Sequence, residues 1–210
     1  MATQAQIDQI VQLYIGYFDR APNPTGLNYW INELDNNPNM SYLDIAQSFS
    51  VQPEATGLYP FLANPQVASP EAFITAVYLN LFNRAPDADG LAYWVGELAG
   101  GKSAGRMIID IQSGAQDSAA GQDLTILNNK TAVALDWVQS TADIPGFSYF
   151  NEDGSINAAA EASAKGVLDG VDATPESVAE GQAETDAYVD AYGETPAGSQ
   201  TFRFEDLQAL

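Results

Sequence analysis

The sequence has no cysteine and no histidine among its 210 residues, and only seven basic residues against 28 acidic ones. Each shortage closes a class of chemistry. Without cysteine there are no disulfides, thiol nucleophiles or thiolate ligands. Without histidine there is no Ser-His or Cys-His catalysis and none of the usual zinc, copper or haem ligation. Only oxygen-donor ions such as Ca²⁺ stay open as cofactors. The net charge of −21 repels phosphate backbones and anionic lipid, so nucleic acid is not an expected partner. No apolar run reaches the roughly 18 residues of a spanning helix, and membrane insertion is not expected either. The residues after Met1, ATQAQIDQIVQLYIGYF, lack the basic start and unbroken apolar core of an ordinary signal peptide. That suits a cytosolic protein or one exported without an N-terminal signal, and an acidic, cysteine-free chain fits the second.

What is present is a globular composition, 46% apolar and 10% aromatic, long enough for one or two domains with a core. Its most informative stretch is Tyr14 to Leu34, which reads Y-x-x-x-F-x-R-A-P-x-x-x-G-L-x-Y-W-x-x-E-L and returns from Tyr78 to Leu98. At a constant offset of 64, residues 10–34 and 74–98 share twelve identities in 25 positions, which predicts a duplicated unit. Ile10, Leu13, Tyr14, Tyr17 and Phe18 recur at helical spacing, as do Ile74, Val77, Tyr78, Leu81 and Phe82. Pro22 and Pro86 should stop these helices near Arg20 and Arg84, and Leu27, Trp30, Leu34 and Leu91, Trp94, Leu98 begin a second helical set. Each unit then reads as a helical hairpin with an aromatic seam.

The expected fold is all-α, with two tandem helical-hairpin repeats, a long helix and an acidic helical C-terminal region. The first unit with its connector takes residues 1–68, the second 69–114, the long packing helix 115–145, and the acidic Ala/Gly-rich helices and tail 146–210. Ser41 is placed to cap a third helix carrying Leu43, Ile45, Ala46 and Phe49, and the apolar connector around Tyr59 and Phe61 is expected to pack on the first unit. Ser69-Pro70-Glu71 reads as a helix start with the serine as cap, and Met107, Ile108 and Ile111 mark the second unit's third helix. Trp137 is the expected buried anchor of the long helix. From Glu152 to Glu194, eleven acids and one lysine give a net −10, a composition compatible with disorder, yet Val167, Leu168, Val171 and a Thr174-Pro175-Glu176 start predict two short helices. The terminal FRFEDLQAL reads as a docked end or the beginning of something further.

The R-A-P-x-x-x-G-L-x-Y-W core resembles a helical repeat domain of unknown function found in bacterial RTX-type surface and S-layer proteins, a domain also similar in look to phycobilisome linker modules. LNNKTAVALDW (127 to 137) and AKGVLDGVDATPESVAEGQAETDAYV (164 to 189) resemble the continuation found in those proteins. The resemblance implies a type I-secreted, extracellular, cell-surface or S-layer module that holds lipopolysaccharide O-antigen. The glycine- and aspartate-rich nonapeptide repeats of such proteins are absent, which fits either a fragment or a short stand-alone member.

Several residues are candidates for binding. Arg20 and Arg84 could contact an acidic sugar, or could close each hairpin by bonding helix-end carbonyls and the Glu33 or Glu97 of the same unit. Tyr29 and Tyr93 sit one position off the aromatic seam, so they are expected to be partly exposed and are the better sugar-stacking groups, while Trp30 and Trp94 belong to the core. Asn83, Asp87 and Asp89 put oxygen donors in one turn as a Ca²⁺ loop does, and Asn151 with Asp153 forms a second such set. Neither fits an EF-hand frame, and both also read as Asx turns. Glu33 and Glu97 are the duplicated acids that a glycosidase pair would need, but equivalent places in two units need not face one cleft. The leading expectation is a non-enzymatic anchoring module for cell-surface polysaccharide or lipopolysaccharide, with Ca²⁺ as a bridge. The alternatives are a self-associating protein–protein linker and a carboxylate-based glycan hydrolase.

Overall fold

The computed structural model describes residues 1–117 and 121–193. They form eleven helices: α1 Gln4–Phe18, α2 Pro24–Asn36, α3 Tyr42–Ser50, α4 Pro53–Leu58, α5 Pro60–Ala63, α6 Glu71–Phe82, α7 Ala88–Ala99, α8 Ala104–Asp117, α9 Asp123–Ala142, α10 Ala158–Gly166 and α11 Pro175–Gly193. The fold is all-α, and the described residues hold one isolated antiparallel bridge, Phe150 to Ile156. The terminal FRFEDLQAL lies outside the described residues.

The helix boundaries follow local chemistry. Thr3 with Gln6 and Ser41 with Asp44 form capping boxes at the starts of α1 and α3. Asn23 and Asp87 cap α2 and α7 by accepting the amides of Gly26 and Gly90. At the other end, α1 and α6 both stop one residue before the arginine, on Asp19 and Asn83 in the left-handed region with φ of 52° and 58°. The serine at 69 is not the cap of α6. Pro70 holds that position with helical dihedrals and no side-chain cap bond, so the helix begins one residue later than Ser69-Pro70-Glu71 suggests.

Helix α1 is the centre. Its sequence predicts one apolar face, yet every residue from Ile10 to Phe18 is buried, including Gln12 and Gly16. The reason is tertiary: α3, α6 and α9 all pack on it, and two of them come from far along the chain. A polar thread runs through this packing. Asn80 Nδ2 donates to Gly16 O at 3.1 Å, Lys130 Nζ to Asn80 O at 2.6 Å and Gln12 Nε2 to Thr131 Oγ1 at 3.3 Å, so buried polar groups find partners across three helices. Phe49 of α3 completes the aromatic seam of the first hairpin, lying 4.8 to 5.9 Å from the rings of Tyr14, Tyr17, Phe18 and Trp30.

The connector's rings meet the second unit, where the sequence points to the first. Glu54 of α4 reaches back toward α1, while Tyr59 and Phe61 pack on Phe73 of α6, with ring centroids 5.0 and 6.0 Å apart. Trp137 of α9 is fully buried, as its anchor role requires, and its indole N–H donates to Ser163 Oγ at 2.9 Å. The acidic C-terminal region carries two helices among its described residues, and α11 is 19 residues long rather than short. It gains its place from close packing: a Cβ on Gly181 would lie 2.6 Å from the Val167 carbonyl oxygen and 2.8 Å from Val133 Cγ1. Gly105 holds α8 against the α3 backbone in the same way, with Ala46 and Gln47 backbone atoms within 3 Å of where its Cβ would stand.

Two glycine substitutions separate this packing from helix propensity. Gly114→Ala in α8 has no atom within 4 Å and should gain up to about 1 kcal/mol in denaturant unfolding. Gly181→Ala should instead lose about 1–3 kcal/mol, because α11 must move off α9 and the end of α10. A gain at Gly181 would show that α11 is not seated as described.

Candidate functional site

The two R-A-P turns place the same side chains in the same local geometry. In the first, Arg20 Nε and Nη2 donate to the two carboxylate oxygens of Glu54 at 2.7 and 2.8 Å, and Nη1 donates to Ala21 O at 3.0 Å. In the second, Arg84 Nε and Nη2 donate to the two carboxylate oxygens of Asp123, the first at 2.9 Å, and Nη1 donates to Ala85 O at 3.3 Å. Each guanidinium lies over its own helix's rings: Arg20 is 5.2 Å from both Tyr14 and Phe18, Arg84 5.4 and 6.0 Å from Tyr78 and Phe82. Each arginine thus bonds the carbonyl of the residue after it, within the turn and not at the helix end, and the acids are not Glu33 and Glu97. Glu97 pairs with Lys102 at 2.8 Å and Glu33 contacts Asn37, because both lie near the far end of the second helix, away from the turn at its start.

The surroundings differ sharply. Arg20 is 4% exposed and Arg84 48%. Burial alone would push the Arg20 guanidinium down, but the hydrogen bonds and charge of Glu54 outweigh it and its pKa stands above the ordinary value. Tyr14 beneath it is pushed up to about 12 by burial, with the Arg20 charge opposing. Arg20 is thus committed to the fold and cannot reach a surface ligand. Around Arg84 an open hollow of about 450 Å³ lies between Phe82, Asn83, Asp123, Ile126 and Asp172.

Tyr29 and Tyr93 are 53% and 54% exposed, matching the expectation from their place off the seam. Each ring meets the following tryptophan edge-on with centroids 4.8 Å apart, Trp30 in one case and Trp94 in the other. Trp94 is buried, its N–H donating to Tyr78 Oη at 2.9 Å, so Tyr93 stands on a fixed support. Lys102 Nζ lies 5.5 Å from the Trp94 ring.

Residues 62–116 match the model of a family described as a domain of unknown function (DUF4214). That span contains the second turn, Arg84 to Gly90, and Tyr93. Over 179 residues, 80% of the chain, the sequence is 27% identical to an S-layer protein of Synechocystis sp.. The chain covers 10% of that relative's length. No solved structure matches the chain. The two matches support an S-layer-associated domain of unknown function.

Of the groups singled out for Ca²⁺, Asp87 and Asp153 accept hydrogen bonds within the fold, while Asn83 and Asn151 are held through their amide nitrogens. Asn83 Nδ2 donates to Val171 O at 2.7 Å, Asp87 caps α7, and Asp89 lies in the first turn of that helix. Asp153 accepts from the Ser155 amide and hydroxyl, which holds its carboxyl below the ordinary range, and Asn151 donates to Ser155 Oγ and Ile156 O. Among the described residues no three acidic side chains converge as a metal site. One polar group escaped the sequence reading altogether. Lys130 is 3% exposed, and burial lowers its pKa against the opposing charges of Asp19 and Asp169. Its signal was present: with Leu127, Ala134 and Trp137 it shares the apolar stripe of α9, where a lysine is out of place.

Removing the two arginines should have unequal costs. Arg20→Ala strands a partly buried Glu54 and should lower unfolding free energy by about 3–5 kcal/mol. Asp123 is itself only 14% exposed, but Arg84 is half-exposed and water can take its place, so Arg84→Ala should cost less, about 1 kcal/mol. Equal losses in urea denaturation would show the two turns to be equally structural.

Proposed function

We propose that this chain is a non-enzymatic helical module of a surface-layer protein, located at the cell surface, where it holds polysaccharide through Tyr29 and Tyr93. The observation that carries the polysaccharide part is the exposure of these two tyrosines at matching places in two hairpins, each braced edge-on by a tryptophan. Exposed rings held in fixed orientation offer the apolar face of a sugar a flat partner at little entropic cost. The surface-layer part rests on the likeness to an S-layer protein over 179 residues. Lipopolysaccharide O-antigen is the glycan that the family resemblance implies, and export by the type I route in an RTX-type protein belongs to the same reading. At a net charge of −21, contact with an anionic glycan calls for a cation between the surfaces, and Ca²⁺ fills that role in this proposal.

The test is a pull-down on smooth cells and on cells lacking O-antigen, with and without a calcium chelator. Enrichment on smooth cells, reduced by chelation, is the expected result. The double variant Tyr29→Ala, Tyr93→Ala should bind about tenfold less at an unchanged melting temperature, as loss of stacking worth about 1–2 kcal/mol implies. Equal recovery on both cell types would sink the polysaccharide reading.

A further inference from the structure

The two R-A-P turns are the same device in two states of cover. Residues 20–23 are all buried, whereas Arg84, Ala85 and Asp87 are exposed and Pro86 is half-buried. The arginine donor sets correspond atom for atom, so the difference lies in what is laid over them. Over the first turn sits the chain's own segment from Tyr149 to Ala164. The Tyr149 ring stands 5.0 Å from the Arg20 guanidinium carbon, a third ring added to Tyr14 and Phe18. The Ala21 amide donates to the Ala164 carbonyl near the end of α10 at 2.8 Å. The Asn157 amide donates to Tyr149 O at 2.9 Å, which ties the ring-bearing loop to the start of that helix, so loop and helix act as one cover. Among the described residues the second turn has neither part: no third ring lies over Arg84, and the Ala85 amide meets no acceptor. Among the described residues the C-terminal region meets this turn at its edge: the Val171 carbonyl accepts from Asn83 Nδ2, and Asp172 lines the hollow beside Arg84.

We infer that the second turn, Arg84 to Asp87, is a docking site for a protein segment with the chemistry of the cover on the first: an aromatic ring for the guanidinium face and a helix-borne backbone carbonyl for the Ala85 amide. The chain itself shows which chemistry this constellation accepts, because Tyr149 and Ala164 already occupy its counterpart. The occupant is polypeptide, from a neighbouring module that presents an aromatic loop leading into a helix. The hollow beside Arg84 is lined by Phe82 and Ile126 together with the acidic Asp123 and Asp172. This site is separate from Tyr29 and Tyr93, and it stands whether or not they bind sugar.

The probe is residues 146–166 as a synthetic peptide, with Glu161 and Lys165, already an ion pair at 2.7 Å, joined as a side-chain lactam to hold the helix. Its helicity is verified by circular dichroism, and it is titrated into the full ¹⁵N-labelled chain at about 0.15 M salt, where screening limits repulsion from the acidic rim. Saturable shifts of the Ala85 amide and the Arg84 Nε resonance, with Ala21 unmoved, are the expected result. The same peptide carrying Tyr149→Ala should bind about tenfold more weakly, as loss of a ring over a cation requires. Three results would overturn the inference: no shift at these positions at millimolar peptide, equal binding by the Tyr149→Ala peptide, or saturation of the same two resonances by purified O-antigen polysaccharide, which would make the turn a glycan site.

Discussion

A guanidinium leaves water only when its donors are met, and in this chain one that does so gathers the fold around it. Arg20 takes both oxygens of Glu54 from α4, a carbonyl from its own turn, two rings from α1 and a third from the loop before α10. Its neighbour Ala21 adds a backbone bond to α10. Three parts of the chain therefore meet at this turn: the end of α1 with the turn itself, α4, and the loop that leads into α10. Remove the charge and Glu54 is left uncompensated in a partly buried place, which is why the site acts as a clasp rather than as a surface group.

That clasp is one of several contacts that seat the acidic, alanine-rich region on the rest of the fold. Composition from Glu152 onward would permit disorder, yet α10 and α11 have specific partners: Ser163 for the Trp137 indole, the close approach at Gly181, and a cluster in which Phe147 and Tyr188 flank Trp137. Among the described residues the region thereby closes the first hairpin and leaves the second one open. Duplicated sequence has produced two matching turns, and cover by the loop and helix from Tyr149 to Ala164 makes the first of them core, while the second is exposed. Divergence of role needs no change in the R-A-P residues themselves. It needs only a third element that reaches one of them.

The parts of this arrangement that local chemistry decides were readable from the sequence. Capping at Ser41 is local, as are the helix stops ahead of Pro22 and Pro86, the Thr174-Pro175 start, the burial of Trp137 and the exposure of Tyr29 and Tyr93. What tertiary packing decides was not readable. Glu54 and Asp123 lie 34 and 39 residues from the arginines they pair with, and no spacing rule points to them over Glu33 and Glu97. Burial of α1 on all sides was hidden because Val11, Ile15 and Gly16 look like the edge of an amphipathic pattern until α6 and α9 arrive. Lys130 was passed over for a different reason: a lysine on a helix reads as solvated unless its apolar neighbours at i−3, i+4 and i+7 are counted.

The contrast between a covered turn and an open one is tested most directly by hydrogen exchange at two equivalent amides, Ala21 and Ala85, followed by NMR under native conditions. The Ala21 amide lies under α10 and is bonded to the Ala164 carbonyl, so it should exchange at least about a hundredfold more slowly than the exposed Ala85 amide. Similar protection at the two positions would contradict the difference in cover on which the reading of this molecule depends.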